Sequence, residues 1–211
     1  MNIITKLTPN EKTLQTYNKR LAQYIIHTPS QYNESHIPLL KWIEYSLALI
    51  PKSAVILEIG SGPGRDAHYI SSCGFNVICS DASSKFVDYL NSNEQQAILF
   101  DAIKDPIPGE FEMIFANAVI QHFTDQDFGF VLEKVYDSLP PKGVFAFSAK
   151  QGEGEAWITE KLQDERYIKY WQPHELSARI EEKRYEIVYL QKDIPGDLPN
   201  HIWTLVVARK L

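Results

Sequence analysis

The chain has 211 residues and a formal net charge of −6, and 44% of its residues are hydrophobic, which is typical of one soluble domain with a small appendage. An acidic chain repels phosphate backbones, so composition disfavours a general nucleic-acid binder. No apolar segment approaches the ~20 residues of a membrane span, the N-terminus lacks the apolar core of a signal peptide, and the two cysteines form no CxxC pair. We therefore expect a cytoplasmic protein that is not attached to a membrane.

The first 52 residues differ from the remainder in charge and pattern. They carry six Lys/Arg and three Asp/Glu, whereas residues 53–211 carry fifteen and twenty-four. Apolar residues at helical spacing predict amphipathic helices over Thr13–His27 and Ser35–Leu49. We predict a helical N-terminal arm (residues 1–52) that serves as a lid, and one α/β domain (residues 53–211).

Strands and helices are predicted to alternate after Pro51. The predicted strands are apolar on both faces, which indicates a mostly parallel sheet covered by helices on both sides. The short segment 191–200 cannot hold a crossover helix, so one late strand should be antiparallel. Strands are predicted at Ala54–Ile59, Asn76–Ser80, Ala97–Phe100, Phe111–Ala116, Gly143–Ala149, Tyr185–Leu190 and His201–Arg209, and helices at Gly64–Ser72, Ser83–Ser92, about 124–139, Trp157–Tyr167 and Gln172–Lys183.

A glycine-rich turn follows the first of these strands. Gly60, Gly62 and Gly64 occupy every second position between a buried strand and a helix. Glycine there lets the backbone turn sharply and lets a ligand approach the main chain. Dinucleotide-binding turns have the spacing G-x-G-x-x-G, whereas this one is G-x-G-x-G, and Pro63 removes an N–H that a phosphate would use. The turn therefore predicts a nucleotide-type site that does not bind NAD.

Acidic residues end the next two strands. Asp81 lies at the end of the second strand, where a carboxylate suits a ribose with both hydroxyls free. Asp101 and Ala102 follow the third strand, at a position where an adenine could be recognised.

Together these residues resemble the class I S-adenosylmethionine-dependent methyltransferases. Glu58-x-Gly60-x-Gly62-x-Gly64 is similar to the first motif of that family, Asp81 to its ribose-binding acid and Asp101-Ala102 to its adenine-recognition step. The resemblance implies a doubly wound, Rossmann-like α/β fold with a seven-stranded sheet of order 3-2-1-4-5-7-6, in which strand 7 is antiparallel. It implies S-adenosyl-L-methionine as cofactor and S-adenosyl-L-homocysteine as product. The implied cofactor-binding residues are Glu58, Gly60, Ser61, Gly62, Gly64, Arg65, Asp81, Ala82, Asp101, Ala102, Asn117 and Ala118.

The residues that bind the methyl acceptor are harder to predict from the sequence than those that bind the cofactor. Displacement at a sulfonium mainly requires that donor and acceptor are aligned and that water is excluded. His122 is the candidate general base, since the ordinary pKa of histidine suits neutral pH. No cluster at metal-ligand spacing occurs, so we expect no metal. Aromatic and acidic residues of the arm and of the later loops are the candidate substrate contacts, namely Tyr17, Tyr24, Glu153, Tyr170 and Trp171.

The sequence therefore predicts transfer of a methyl group to a small-molecule acceptor, at oxygen or nitrogen rather than carbon, by a monomer or homodimer. Two alternatives stay open. One is a tRNA-modifying methyltransferase, whose footprint would be a basic stripe along Lys6, Lys12, Lys19, Arg20 and Lys41. The other is a non-catalytic partner protein that keeps the methyltransferase fold.

Overall fold

A computed structural model describes residues 7–196 and 201–211. A seven-stranded sheet has the order β3-β2-β1-β4-β5-β9-β8, and β6 and β7 form a separate two-stranded sheet. The strands are β1 (Val55–Ile59), β2 (Asn76–Asp81), β3 (Ala97–Leu99), β4 (Met113–Ala116), β5 (Val144–Lys150), β6 (Glu155–Ile158), β7 (Arg166–Lys169), β8 (Tyr185–Pro195) and β9 (Ile202–Lys210). The helices are α1 (Pro9–Lys19), α2 (Leu21–Ile26), α3 (Ile37–Ala48), α4 (Arg65–Ser72), α5 (Ser84–Ser92), α6 (Asp125–Ser138) and α7 (Pro173–Glu182).

Helices cover both faces of the large sheet because its central strands are apolar on both sides. Successive side chains of a strand point to opposite faces. Met113 and Phe115 of β4 accordingly pack with Trp42 of α3 on one face, while Ile114 packs with Phe128 of α6 on the other. The apolar residues on the two faces of these strands therefore belong to two separate hydrophobic cores.

The predicted sheet is confirmed. The strands β1 to β5 are parallel to one another, and β9 pairs antiparallel with both β5 and β8. Because β8 and β9 are the sixth and seventh strands of the large sheet, its order is the expected 3-2-1-4-5-7-6. The predicted turn 191–200 lies partly in residues 197–200, outside the described residues, and β8 extends to Pro195.

The predicted helix Trp157–Tyr167 is wrong. Its two ends are the antiparallel strands β6 and β7, in which Trp157 stands opposite Tyr167 with ring centroids 5.7 Å apart. Trp, Tyr and Ile favour a strand once a cross-strand partner is available, and a helical reading of the single segment omits that partner. The intervening residues 159–165 form turns.

The N-terminal region divides into two parts. The predicted helix Thr13–His27 is two helices, α1 and α2, which meet at Arg20. The helix α3 belongs to the core, since Trp42 is fully buried, lies 4.9 Å from Phe115 and donates from Nε1 to the carbonyl oxygen of Val206 at 3.0 Å. The part of the predicted arm that lies outside the sheet core is therefore α1 and α2.

In the described ranges, no helix is both long and apolar enough to cross a membrane. The carboxyl ends of β1, β2, β3, β4 and β5 lie at one edge of the sheet, where α1 and α2 lie across them. This edge is where open α/β sheets bind ligands.

Candidate functional site

A cleft of about 720 Å³, open to solvent, lies between the arm and the carboxyl edge of the sheet. We call it the first cleft. It is lined by Gly60 and Gly62 after β1, by Asp81 and Ala82 at the end of β2, by Asp101 and Ala102 after β3, and by Asn117 and Ala118 after β4. Sequence positions about 60 residues apart are thus brought together by the parallel strands.

The glycine turn needs glycine for two different reasons. Gly60, Gly62 and Gly64 all have positive φ (69°, 53° and 84°), which other residues adopt rarely. A Cβ on Gly60 would lie only 2.5 Å from Cγ2 of Val119, and one on Gly64 would lie 1.9 Å from Oε1 of Gln95. Gly60 and Gly62 line the cleft, and Gly60 also allows Val119 to pack closely against the turn, whereas Gly64 does not line the cleft and allows the start of α4 to pack closely against Gln95.

Asp81 is held by the backbone at the base of the first cleft. Its Oδ2 accepts from the N–H of Gly62 at 3.0 Å, and its Oδ1 accepts from the N–H of Ser83 at 2.8 Å. Burial raises the pKa of Asp81 from 3.8 to about 6, although both hydrogen bonds oppose the shift. The carboxylate is thus fixed in orientation and ties the glycine turn to the start of α5.

The end of the first cleft near β3 combines apolar rings with a short polar loop. Phe86 and Phe100 line it beside Asp101 and Ala102. Asp101 Oδ1 accepts from the N–H of Ile103 at 3.0 Å, so its carboxylate shapes the loop that follows β3. A flat apolar group with polar edges fits this environment.

A chain of hydrogen bonds fixes the backbone after β4. Asp66 Oδ2 accepts from Asn117 Nδ2 at 2.6 Å, Asn117 Oδ1 accepts from Ser148 Oγ at 2.7 Å, and Ser148 Oγ accepts from the N–H of Ala118 at 2.8 Å. Ala118 has φ +57°, an unfavourable conformation for alanine that these bonds hold in place. Asn117 therefore lines the cleft and also sets the position of Ala118.

Three predicted cofactor residues lie behind the glycine turn instead of in the first cleft. Glu58 is 2% exposed, and its Oε2 has no hydrogen-bond partner. Ser61 accepts from the N–H of Ser80 at 3.1 Å, which joins the turn to β2. Arg65 pairs with Asp66 at 3.0 Å and lies 4.6 Å from the ring centroid of Tyr32. These side chains brace the turn.

His122 contacts the arm directly. Its Nδ1 lies 2.8 Å from the carbonyl oxygen of Tyr167, which can only accept, so Nδ1 carries the proton and Nε2 accepts from the hydroxyl of Tyr17 at 2.8 Å. Burial lowers the pKa of His122 to about 3, and the charges of Arg166 and Lys150 contribute. The ordinary pKa assumed from the sequence therefore does not apply in this closed arrangement.

A second, larger cleft adjoins the first. It encloses about 1370 Å³ including its open mouth, and it shares Tyr17, Tyr24 and Ala118 with the first cleft. Three of its other lining residues are basic: Lys150 at the end of β5, Lys161, and Arg166 on β7. We call it the second cleft. The two clefts thus meet at the arm tyrosines and at the strained alanine.

The arm is docked beside both clefts through polar and ionic contacts with the loop and strand at 164–167. Thr13 Oγ1 accepts from the N–H of Tyr167 at 2.9 Å, and Thr16 Oγ1 donates to the carbonyl oxygen of Glu165 at 2.7 Å. Lys19 pairs with Asp164 at 2.7 Å. Tyr17 and Tyr24, with ring centroids 5.4 Å apart, face into the clefts from this docked position.

Much of the predicted basic stripe is neutralised by acids of the domain. Lys12 pairs with Glu165. Arg20 pairs with Asp164 at 3.4 Å, and Lys19 pairs with the same aspartate. Lys41 is on α3, and Lys6 lies outside the described residues. The arm cations therefore act in docking the arm and do not form an unpaired surface.

The remaining predicted substrate residues line neither cleft. Trp171 is 1% exposed and packs 5.0 Å from the ring of Phe128 in the core. Glu153 is exposed and accepts from Gln172 Nε2 at 3.0 Å. Tyr170 lies nearer the second cleft, with its ring centroid 5.7 Å from Nζ of Lys150. Among residues 7–196 and 201–211, no group of three or more His, Cys, Asp or Glu side chains could hold a metal ion.

Comparison with known proteins supports the interpretation of the first cleft. Residues 56–143 match the model of the methyltransferase domain family. The resemblance to class I methyltransferases is confirmed. No curated protein sequence matches the chain significantly.

Solved methyltransferase structures share this fold over most or nearly all of the chain. The Burkholderia thailandensis 1,6-didemethyltoxoflavin-N1-methyltransferase, solved with bound 1,6-didemethyltoxoflavin and S-adenosylhomocysteine, has a TM-score of 0.72 at 17% identity, covering 99% of this chain and 93% of that one. The Synechocystis magnesium protoporphyrin IX methyltransferase, solved with S-adenosylmethionine, has a TM-score of 0.73 at 11% identity, covering 98% and 99%. A Methanosarcina mazei S-adenosylmethionine-dependent methyltransferase has a TM-score of 0.68 at 16% identity, covering 78% and 96%.

Several residues that line or support the clefts were not predicted as site residues from the sequence. Three of them lie at the carboxyl edge of the sheet: Phe86 is in the first turn of a predicted helix, Phe100 ends a predicted strand, and Lys150 follows another. The topology alone could therefore have suggested these three. Arg166 could not be placed, because it falls in the segment predicted as a helix. Ser148 gives no signal, since it looks like one more residue of an apolar strand.

Glu58 provides a test of the architecture behind the glycine turn. Burial, and then the nearby charge of Asp66, raise the pKa of its carboxyl from 4.5 to about 8. Folding therefore takes up a proton between these two pH values, and this group lowers the free energy of unfolding as pH rises through that window. In Glu58→Gln, the free energy of unfolding relative to the wild type should increase between about pH 5 and pH 8 and stay constant above that.

The measurement is urea denaturation at several pH values, and Glu181→Gln, an exposed acid on α7, is the control. A difference between Glu58→Gln and the wild type that does not change with pH would mean that Glu58 is ionised in the folded protein.

Proposed function

We propose that the chain is an S-adenosylmethionine-dependent methyltransferase that transfers a methyl group to a small-molecule acceptor, at oxygen or nitrogen. The observation that carries the proposal is the junction of the two clefts. The first has the glycine turn and the acid of a nucleoside site, and it meets the second at Tyr17, Tyr24 and Ala118. Donor and acceptor could therefore be held side by side. We further propose that the protein acts in the cytoplasm.

The first cleft fits this cofactor chemically. Each oxygen of Asp81 accepts one backbone N–H, so each has a lone pair left for one hydroxyl of a ribose. Phe86 and Phe100 would stack on or flank the adenine, beside Asp101 and Ala102. Gly60 and Gly62 leave space for the chain that carries the sulfur. S-adenosylmethionine would supply a methyl group already activated by a sulfonium.

Tyr17 and His122 can accept the proton that the acceptor loses. As the acceptor oxygen or nitrogen forms its bond to the methyl carbon, its proton would pass to Oη of Tyr17, while the proton of Tyr17 passes to Nε2 of His122 along the existing 2.8 Å hydrogen bond. The Tyr167 carbonyl, which accepts from Nδ1–H, keeps the ring oriented for this transfer. His122 is then a base that acts through Tyr17.

We also propose that α1 and α2 form a lid over both clefts. The lid is fastened by Thr13 and Thr16 and by the ion pairs to Asp164 and Glu165. Its closure would exclude water from the reacting groups.

Cofactor binding is the direct test of this proposal. The protein should bind S-adenosylmethionine and S-adenosylhomocysteine but not NAD, as measured by isothermal titration calorimetry. Asp81→Asn should weaken binding of S-adenosylhomocysteine by about 1.5–3 kcal/mol, the scale of a charge-assisted hydrogen bond. Asp88→Asn, an exposed acid on α5, is the control and should bind normally. Binding of NAD with no response to either sulfur cofactor would overturn the proposal.

The proton path is tested with Tyr17→Phe, which keeps the ring but removes the hydroxyl. Its kcat should fall by about 10²–10⁴-fold, the usual contribution of acid–base catalysis, with little change in cofactor affinity. The acceptor is first found by incubating metabolite extracts with methyl-labelled cofactor. Tyr24→Phe, the matched change on the neighbouring ring, should have a much smaller effect. Equal losses in the two variants would indicate that Tyr17 only packs.

The lid is tested by replacing Thr13 and Thr16 with valine, which keeps their shape but leaves the N–H of Tyr167 and the carbonyl of Glu165 without these partners. Each loss should cost the docked state about 1–3 kcal/mol. Hydrogen exchange of residues 9–26 should therefore be faster, and turnover lower. Thr159→Val, an exposed position between β6 and β7, is the control. Faster exchange of the arm at unchanged turnover would mean that the arm is not a lid.

A further inference from the structure

The second cleft contains two buried cations that lack a counter-ion. Lys150 is 4% exposed and Arg166 is 7% exposed. Within the described ranges, neither has a carboxylate oxygen within 4.0 Å, although ten other ion pairs are present there. A buried charge without a partner is costly, so proteins rarely keep one unless it binds something.

The hydrogen bonds of these two side chains leave donors unused. Arg166 donates from Nη2 to the carbonyl oxygen of Glu160 at 2.6 Å and from Nη1 to Oη of Tyr17 at 3.4 Å, but its Nε is buried without a partner. Nζ of Lys150 lies 3.1 Å from Nε2 of His201, which leaves donor capacity on the ammonium group. Both side chains line the same cleft.

The charge of the cleft is opposite to that of the chain. Among the described residues, the cations Lys150, Lys161 and Arg166 line it together with one acid, Glu160, whereas the chain as a whole carries −6. Burial lowers the pKa of Lys150 to about 8, and the charge of Arg166 lowers it further, while the charge of Glu160 acts in the opposite direction.

The other residues that line the second cleft indicate what kind of ligand would fit beside the cations. Beside its charged residues, the cleft has apolar and aromatic walls, which are formed by Tyr17, Tyr24, Ile158, Ile168 and Trp203. Gln121 is 4% exposed, and its Oε1 is a buried acceptor without a partner. A ligand with a flat apolar body and one hydroxyl or amino donor would satisfy these groups.

We propose that the second cleft binds a carboxylate between Lys150 and Arg166, and that the methyl acceptor is a small aromatic carboxylic acid with a hydroxyl or amino group. The acceptor assignment rests on the proposed function, whereas binding of the anion does not. A carboxylate supplies the missing counter-ion, and the planar fork of arginine matches its geometry.

The test uses matched probes that differ in charge. Benzoate and 3- and 4-hydroxybenzoate are titrated into the full-length protein by calorimetry, alone and with S-adenosylhomocysteine, and each is compared with its neutral amide. The acids should bind about 10- to 100-fold more tightly than the amides, as expected of charge-assisted hydrogen bonds. Equal binding of acids and amides, or no binding of any acid, would overturn the proposal.

Lys150→Met separates recognition of the anion from stability. It removes the charge but keeps an apolar stem of similar length, so the preference for acids should fall about tenfold or more. Because the wild-type ammonium is buried without a counter-ion, the variant should unfold at the same or a higher temperature than the ligand-free wild type. Lys41→Met, an exposed lysine on α3, is the control and should keep the preference. A Lys150→Met variant that unfolds at a clearly lower temperature, or that keeps the preference, would contradict the assignment of Lys150.

The same titrations distinguish the two proposals. A preference for acids without any binding of S-adenosylhomocysteine would support the anion site and overturn the proposed function. Binding of S-adenosylhomocysteine without a preference for acids would do the reverse.

Discussion

The carboxylate of Asp66 is the interaction on which the geometry of both clefts depends. It accepts from Tyr32 Oη at 2.6 Å, from Arg65 Nε at 3.0 Å and from Asn117 Nδ2 at 2.6 Å. These partners come from the segment before α3, from α4 and from the loop after β4. Through Asn117 and Ser148 the network reaches the N–H of Ala118, the residue at which the two clefts meet. One buried anion thus fixes the backbone at the point where a methyl group would be transferred.

The docked arm contacts this arrangement from the other side. Tyr17 reaches past the sheet edge to His122, and Thr13 and Thr16 bind the backbone at residues 165–167. The arm therefore depends on β7, and β7 in turn supplies Arg166 and the carbonyl of Tyr167 that orients His122. The helices α1 and α2 are thus packed against β7 and the loop before it, although most of the sequence lies between them.

The sequence predicted the site residues at the ends of parallel strands better than those contributed by other parts of the fold. Residues that end parallel strands, such as Asp81 and Asn117, could be predicted because topology alone places strand ends at one edge. The position of Glu58 could not, because the side chain of a strand residue turns toward the cleft or behind it according to local packing. Arg166 was missed because β6 and β7 are stabilised by pairing with each other, and a pattern read along one segment contains no information about a cross-strand partner.

The cations Lys150 and Arg166 also affect His122. Burial is the main reason that the pKa of His122 is lowered to about 3, and the charges of Arg166 and Lys150 lower it further. A carboxylate bound between Lys150 and Arg166 would offset their charge and raise the pKa of His122, since an added negative charge stabilises an imidazolium nearby. Under the proposed function, an acidic acceptor would then make His122 a better proton acceptor by binding, and a neutral analogue would leave it a poor one. The cations would in that way favour acidic acceptors in the reaction as well as in binding.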